Sequence, residues 1–593
     1  MRLTHVDQLR LPFGALRSYQ VTATPEPAGS AAAELPVSFD QARHVGAGDR
    51  PGSWMAVSIR LREPVDPEDL AAAWLAVIAR HGTLRTGFVQ DEDGGVHLRR
   101  LRIGPGRWED HEIVPGRSMN AALQEVLDAS CRPLSAPSHR LCTIDTAVGP
   151  TLVIASDHAH VDMWSMLVLA RDLLAALADV RAGREPADGW VPEFAEHTAV
   201  LERRTEVPEE VHRRWAEILA AGDEVMPRFP LPLGDPAPQP ERVEVRDVLD
   251  VDDTAALSAQ ARADGVSTLA LTTSLMTQVT RDLAGAPLRA VFPVHSRYDK
   301  TWHDSVGWFI TNSVLESADV SPQAAAAAVK EAIALGSWPL REVLAPWGGM
   351  PEAPGMFALS WLDLRRLPVR IDDIGLEAQY VSSGIRTSGV MLWFILDDAG
   401  VHLRCRYPDT AQARESVGSW LDALVALLRS TARASAGTRL LAGGREYRVS
   451  RARRADVPAI VALLTDDELG RTREGADLER YEAAHEVLSR DGAHYLAVVR
   501  DAEERIVGTM QLTIIPGLSR GGTTRLQIEG VRVAGSERSH GLGTAMLTWA
   551  HDHGRSRGAA LSQLTTDGTR TAAQQFYARL GYEASHVGLK RPL

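Results

Sequence analysis

Two short stretches of the chain carry residue types at spacings that could do chemistry. The first is Ser156-Asp157-His158-Ala159-His160-Val161-Asp162-Met163-Trp164-Ser165, which follows the apolar run Thr151-Leu-Val-Ile-Ala. A short run with β-branched residues reads as a buried strand, so His158 stands where a strand leaves the core. An imidazole there is partly desolvated yet reachable, and small shifts bring its pKa near neutrality. That suits a general base taking a proton from an alcohol or amine. Asp162, four positions on, can turn back and anchor the loop without touching substrate. The spacing alone is weak in a chain with 19 histidines, and a polar loop after a strand is an equally good reading. His158 and His160 could also form a metal pair, but no third ligand falls at the right spacing nearby, so no metal is expected.

The second stretch is Leu526-Gln-Ile528-Glu529-Gly530-Val531-Arg-Val533, followed by Arg538-Ser539-His540-Gly541-Leu542-Gly543-Thr544. Leu526 and Ile528 share one face of a strand, and after Gly530 the apolar parity moves to Val531 and Val533. A one-residue slip at a glycine predicts a β-bulge, which frees backbone N–H and C=O groups for a ligand. The glycines then make a strand-to-helix turn that lets the backbone close on an anion, with the first N–H groups of the next helix pointing at it. The spacing R-x-x-G-x-G is neither the dinucleotide fingerprint nor the nucleotide-triphosphatase loop.

These stretches need a scaffold, and helices alternate with strands throughout. Asp66-Pro67-Glu68-Asp69 predicts a helix start, with a cap oxygen, a first-turn proline and acids at the positive end of the dipole. Leu70, Trp74, Val77 and Ile78 make its apolar stripe, and Gly82 is expected to end it. A helix with Leu167, Leu169, Leu173, Leu174 and Leu177 on its buried side should follow the His158 loop. The fold class is therefore mixed α/β. Prolines crowd 227–240 and predict an extended connection between two bodies, with an irregular loop as the other reading. A second composition shift, over 430–445, predicts a boundary before a new strand-then-helix pattern starting at Tyr447.

Length and charge narrow the function. At 593 residues the chain has room for about three or four folding units. A net charge of −13 argues against a nucleic-acid partner. Cys131, Cys142 and Cys405 make no disulfide framework. No run of about 18 apolar residues predicts a membrane span, and a cytoplasmic location is the default.

Read in order, Ser38-Phe-Asp-Gln-Ala-Arg, Arg80-His81-Gly-Thr-Leu-Arg-Thr-Gly-Phe88, Asp157-His158-Ala-His-Val-Asp162-Met163 and Val306-Gly-Trp-Phe-Ile-Thr-Asn312 resemble four motifs of the condensation-domain superfamily. The opening Leu9-Arg-Leu-Pro-Phe-Gly-Ala-Leu and the Asp-His form are more similar to polyketide-associated acyltransferases. The resemblance covers 1–432. It implies two chloramphenicol-acetyltransferase-like lobes, about 1–226 and 241–432, with acyl transfer from a thioester to an amine or hydroxyl. It makes His158 the base and Asp162 structural, paired with an arginine for which Arg297 is the candidate. The donor would be an acyl-CoA or an acyl or peptidyl carrier protein, and the acceptor a small molecule. Met163 stands where the family has glycine, which leaves open a domain that binds substrate or carrier without catalysing.

After a linker over 433–445, residues 446–593 resemble the GCN5-related N-acetyltransferases (GNAT), both in the glycine turn and in Thr569-Arg-Thr-Ala-Ala-Gln-Gln-Phe576-Tyr577-Ala-Arg-Leu-Gly581-Tyr582. The resemblance implies a mixed, bulged central sheet and acetyl-CoA. Backbone around Val531 and Val533 would hold pantetheine, and residues 538–544 the pyrophosphate. Tyr577 would protonate the departing thiolate, and Glu529 would deprotonate the incoming ammonium. On residue grounds alone, Tyr577 has a second reading as a core aromatic, and Glu529 reads equally as a solvated strand position. Together the two resemblances imply a bifunctional acyltransferase of specialised metabolism.

Overall fold

Asp66 accepts a hydrogen bond from Glu68 N and starts the helix Pro67–Arg80, whose Leu70, Trp74, Val77 and Ile78 are buried. Gly82 serves a different purpose from the expected helix stop. It lies in a 3₁₀ turn, Gly82–Arg85, and a Cβ there would fall 2.1 Å from Glu193 Oε1. Glu193 is itself held by Arg100 through two hydrogen bonds of 2.7 and 2.9 Å. Close packing, not a left-handed cap, selects the glycine.

In the computed structural model, which describes residues 1–27, 34–187, 189–466, 477–586 and 591, the chain divides into two units, Met1–Arg433 and Ala434–Leu593. The first unit holds two sheets. One is nine-stranded, ordered Arg2–His5, Gln379–Ser382, Trp54–Arg60, Thr151–Asp157, His139–Asp145, Ala15–Pro25, Val96–His111 and Glu34–Leu35, with Thr86–Gln90 also on Val96–His111. Helices Pro67–Arg80 and Met163–Arg181 cover one face through Trp74, Ile78, Leu169 and Leu173, packed on Val57, Ile59, Leu152 and Ile154. Helix Met119–Ser130 covers the other, with Leu123 and Leu127 on Ala56, Val153 and Ala155. The second sheet has seven strands, from Ile310–Ser317 through Leu288–His295, Phe357–Asp363, Val390–Asp397, Gly400–Pro408 and Gln239–Leu249 to Arg386–Thr387. Helices Thr268–Ala284 and Ala411–Ser435 pack on it around Trp420, Phe357 and Phe394.

The lobes are not contiguous stretches of sequence, as 1–226 and 241–432 would have it. Gln379–Ser382 crosses into the first sheet and pairs with Arg2–His5 on one side and Trp54–Arg60 on the other. A four-residue strand carries too little periodicity to announce which sheet it joins.

The second unit is a six-stranded sheet, Thr438–Ala442, Arg445–Arg451, His494–Arg500, Ile506–Ile515, Arg525–Val533 and Leu561–Leu564, with the last pair parallel. Helix Leu542–Ser556 buries Met546, Leu547 and Ala550 against it. The segment 433–445, expected as a linker, instead contains the first strand, which turns at Gly443-Gly444 (φ +57° and +76°) and pairs with the next. Its alternation of buried Leu440 and Ala442 with exposed Leu441 was hidden by the surrounding Ala, Arg and Gly. Among the described residues, no helix is long and apolar enough to cross a membrane.

Candidate functional site

The strand Thr151–Asp157 is buried along its whole length and ends where the polar loop begins. His158 is half-buried. Its Nδ1 lies 2.8 Å from the carbonyl of Val161. A carbonyl only accepts, so Nδ1 carries the proton and Nε2 keeps the lone pair. The ring stacks on Trp308, centroids 4.2 Å apart and planes at 20°. Burial, with His44 nearby, pulls the His158 imidazole below its ordinary value, against the pull of the Val161 carbonyl.

Asp162 caps the helix Met163–Arg181 by accepting from Ser165 N at 2.7 Å. Its other oxygen accepts from Arg297 at 2.6 Å and from Phe309 N at 3.1 Å. Arg297, 2% exposed, also donates to Ser165 Oγ and the carbonyls of Ser305 and Trp302, and lies over the rings of Phe309 and Trp164. The structure thus brings His158, Asp162 and Arg297 together, with Asp162 and Arg297 tying the first half of the unit to the second. The side chain of Met163 packs against the core beneath the loop, and its carbonyl accepts from Tyr380 of the crossing strand at 2.8 Å.

Several residues around the loop, some of them inside the quoted motifs, were given no role by the sequence. Arg50 donates to His44 Nδ1 at 3.1 Å, so His44 Nε2 carries the proton and faces Asp157 at 3.2 Å. Burial pushes the Asp157 carboxyl up, but His44, Ser53 and the N–H of Ala159 outweigh it and hold the carboxyl below its usual range. Gln41, one position beyond Asp40 in the first motif, donates to the Ala159 carbonyl at 2.8 Å and so fixes the loop from a separate helix, Phe39–Gly46. Asn312, from the fourth motif, donates to Asp40 at 2.9 Å; burial raises that carboxyl to about 6. Ordered motifs far apart in sequence therefore converge on one loop.

In the second unit, the register shifts between the paired strands where Gly530 and Val531 stand against Met510. Gly530 has φ +60°, which only glycine adopts without strain. Arg525–Ile528 pair in parallel with Leu561–Leu564, and beyond Ile528 the two strands share no further pairs. Glu529 is exposed there, and Val531 and Val533 are half-buried. Ser539 (φ +68°) and Gly541 (φ +81°) turn the chain into the helix Leu542–Ser556, which has no side-chain cap. Its first N–H groups therefore lack intrahelical partners. His540 and Thr544 are exposed, Leu542 is buried, and Gly543 leaves room for Phe576, 3.3 Å from where a Cβ would be. The guanidinium of Arg538 is engaged by the protein itself, donating to the Val533 carbonyl at 3.1 Å and to Asp466 at 2.8 Å. Tyr577, on helix Thr571–Arg579, is partly buried beside Phe576 and Tyr582, and burial raises its phenol against the pull of Arg570 and Arg532. Among the described residues, no group of three or more His, Cys, Asp or Glu is placed to hold a metal.

Residues 47–333 match the condensation-domain family, and residues 458–582 the acetyltransferase (GNAT) family. The acyltransferase PapA3 of Mycobacterium tuberculosis is 23% identical over 428 residues, 67% of this chain and 89% of PapA3. CymA of Salinispora arenicola, described as a probable non-canonical nonribosomal peptide synthetase, is 31% identical over 306 residues, 48% of this chain; the match spans 4% of CymA. Among solved structures, the PapA2 acyl transferase aligns with TM-score 0.64 at 19% identity, over 73% of this chain and 100% of PapA2. The X-domain from teicoplanin biosynthesis aligns with TM-score 0.55 at 20% identity, over 70% of this chain and 97% of that domain. These likenesses establish the fold of the first unit. The match to the condensation-domain family therefore lies within the first unit, over 47–333, and the match to the acetyltransferase (GNAT) family within the second, over 458–582.

Proposed function

We propose that the chain is an acyltransferase with two reaction centres, one in each unit, acting on a small molecule of specialised metabolism. The observation that carries the first centre is the locked tautomer of His158, which leaves Nε2 as a proton acceptor on a residue that is not fully buried. Nε2 takes the proton from an acceptor amine or hydroxyl as that group attacks a thioester carbonyl, and returns it to the leaving sulfur. Trp308 holds the ring plane, while Asp162 and Arg297 hold the loop and touch no substrate. Such a base contributes about 10²–10⁴-fold to the rate.

In the second unit, the residues fit a pyrophosphate-bearing CoA thioester: the turn at Ser539–Gly541 opens onto an uncapped helix start, an anion-favouring arrangement. Backbone of 539–544 would hold the pyrophosphate, and the strand edge at Val531 and Val533 the pantetheine arm. A bound acetyl-CoA supplies the activated acetyl group. Glu529 removes a proton from the acceptor ammonium, and the Tyr577 hydroxyl gives one to the departing sulfur.

An intact-mass assay of candidate amines and alcohols with several acyl-CoA donors tests both centres. His158→Ala should abolish one acyl addition and leave the other. Gly541→Asp, which places a carboxylate at the anion turn, should do the reverse. Transfer at the first centre at the wild-type rate in His158→Ala would reduce that domain to a binding module.

A further inference from the structure

The face of the nine-stranded sheet under helix Met119–Ser130 is apolar at Trp54, Ala56, Val153, Ala155 and Val381. Alternation along the strands continues that face to Ser58, Arg60, Thr151 and Gln379. The register sets them side by side, Ser58 across from Gln379 and Arg60 across from Thr151. Here the face turns polar, and the segment Arg10-Leu11-Pro12 passes over it, with Arg10 N donating to Gln379 Oε1 at 3.4 Å. Between segment and sheet lies a cavity of about 340 Å³ lined by these residues and Glu377.

Its polar groups are arranged for a ligand that accepts hydrogen bonds. Ser58 and Thr151 are 2% and 3% exposed, and Thr151 Oγ1 has no hydrogen-bond partner. A buried hydroxyl left unpaired costs about 1–3 kcal/mol, so this one calls for a partner that protein groups do not supply. Arg10 makes no ion pair among the described residues. Among the described residues the Arg60 side chain meets only Glu377, at 3.3 Å, and both are well exposed, which makes that pair weak. Two guanidiniums against one carboxylate leave the cavity with a positive balance, and Leu11 and Pro12 add an apolar wall.

We infer that this cavity binds the oxyanion of a small molecule, a phosphate or carboxylate on a compact organic body. Guanidiniums and hydroxyls take the oxygens, and the volume, within the range of about 300–1,000 Å³ usual for ligand pockets, leaves room for more than a bare ion. The site is separate from the His158 centre. Thr151 and Asp157 are opposite ends of one strand, about 20 Å apart at roughly 3.3 Å per residue. It does not depend on the acyltransferase reading.

Calorimetric titration of the full chain with inorganic phosphate, acetate and phosphopantetheine tests it. Saturable binding of at least one probe is expected. Arg10→Ala should weaken it at least tenfold, and Thr151→Val, which removes only the hydroxyl and keeps the shape, about three- to tenfold. Arg99→Ala, an exposed arginine elsewhere on the lobe, should leave it unchanged. Phosphopantetheine above phosphate would assign a phosphate on a larger molecule, and acetate above phosphate a carboxylate. No saturable binding by any probe, or equal binding in all three variants, would overturn the inference. Thermal unfolding of each variant separates a lost site from a lost fold.

Discussion

The two proposed centres are built from different materials. Around His158, side chains gathered from Gln41 to Asn312 determine where one loop sits, and most of them are buried and hydrogen-bonded to one another. Around Gly541, consecutive backbone does the work: a bulge, two left-handed residues and an uncapped helix start. A centre made of distant side chains is vulnerable at many positions and to proton uptake. One made of local backbone is vulnerable mainly where φ is positive.

Acid should separate the two units most strongly. Burial lowers His139 to about 3 and His160, His197 and His402 to about 4, all in the first unit. The unfolded chain takes up these protons below about 6.5 and the folded one does not, so stability is full above that pH and falls below it. At pH 5 each contributes about 2 kcal/mol of loss. Asp40, raised to about 6, offsets about 1 kcal/mol of this. In the second unit, the described histidines with lowered values, His551 and His553, are only half-buried. Circular dichroism between pH 7 and 5 should therefore show the first unit unfolding while the second persists; simultaneous loss would erase the distinction.

A smaller but still large difference should follow from Arg297→Ala. Leaving Asp162 buried without its cation costs about 3–5 kcal/mol, read as a lower denaturant midpoint for the first unit alone. Trp308→Ala should act on chemistry more than on stability. The proposed base needs neutral imidazole, and its lowered pKa should keep the acid limb of the pH–rate profile below about 6.5. Loss of the stacked indole exposes the ring and should move that limb toward higher pH; an unmoved limb would assign Trp308 to packing only. The smallest effect is expected from Thr544→Ala, an exposed side chain in the first turn of helix Leu542–Ser556, whose proposed part is played by its N–H. Stability within about 0.5 kcal/mol of wild type and unchanged CoA affinity would agree with a backbone-built site.

The same contrast decides which features are legible in the sequence. The bulge at Gly530 and the turn at Gly541 were legible because their signals are local, a parity slip and a glycine spacing. His158 and Asp162 lie in one of the ordered motifs, while Arg297, outside all four, was only a candidate partner that the resemblance implied; the structure places it on Asp162. The Arg50–His44–Asp157 chain and the stacking of Trp308 were not, because nothing in a histidine at position 44 or a tryptophan at 308 says which loop it will meet. Gly82 was misread since a glycine after a helix signals a cap by default, and only Glu193, more than a hundred residues away, reveals the steric reason. Arg538 stood in the expected phosphate motif, yet its guanidinium meets Val533 and Asp466, a partnership visible only in space.

The strand Gln379–Ser382 has a mechanical consequence. Because it is stitched between two strands of the opposite lobe, any opening of the two halves of the first unit has to be taken up in the segments that lead into and out of it, 364–378 and 383–385, or tear backbone hydrogen bonds along both of its edges. For the proposed turnover at the imidazole, a covalent bridge engineered across the lobes should leave the rate intact if side chains and surface loops carry the traffic, and stop it if those segments act as hinges.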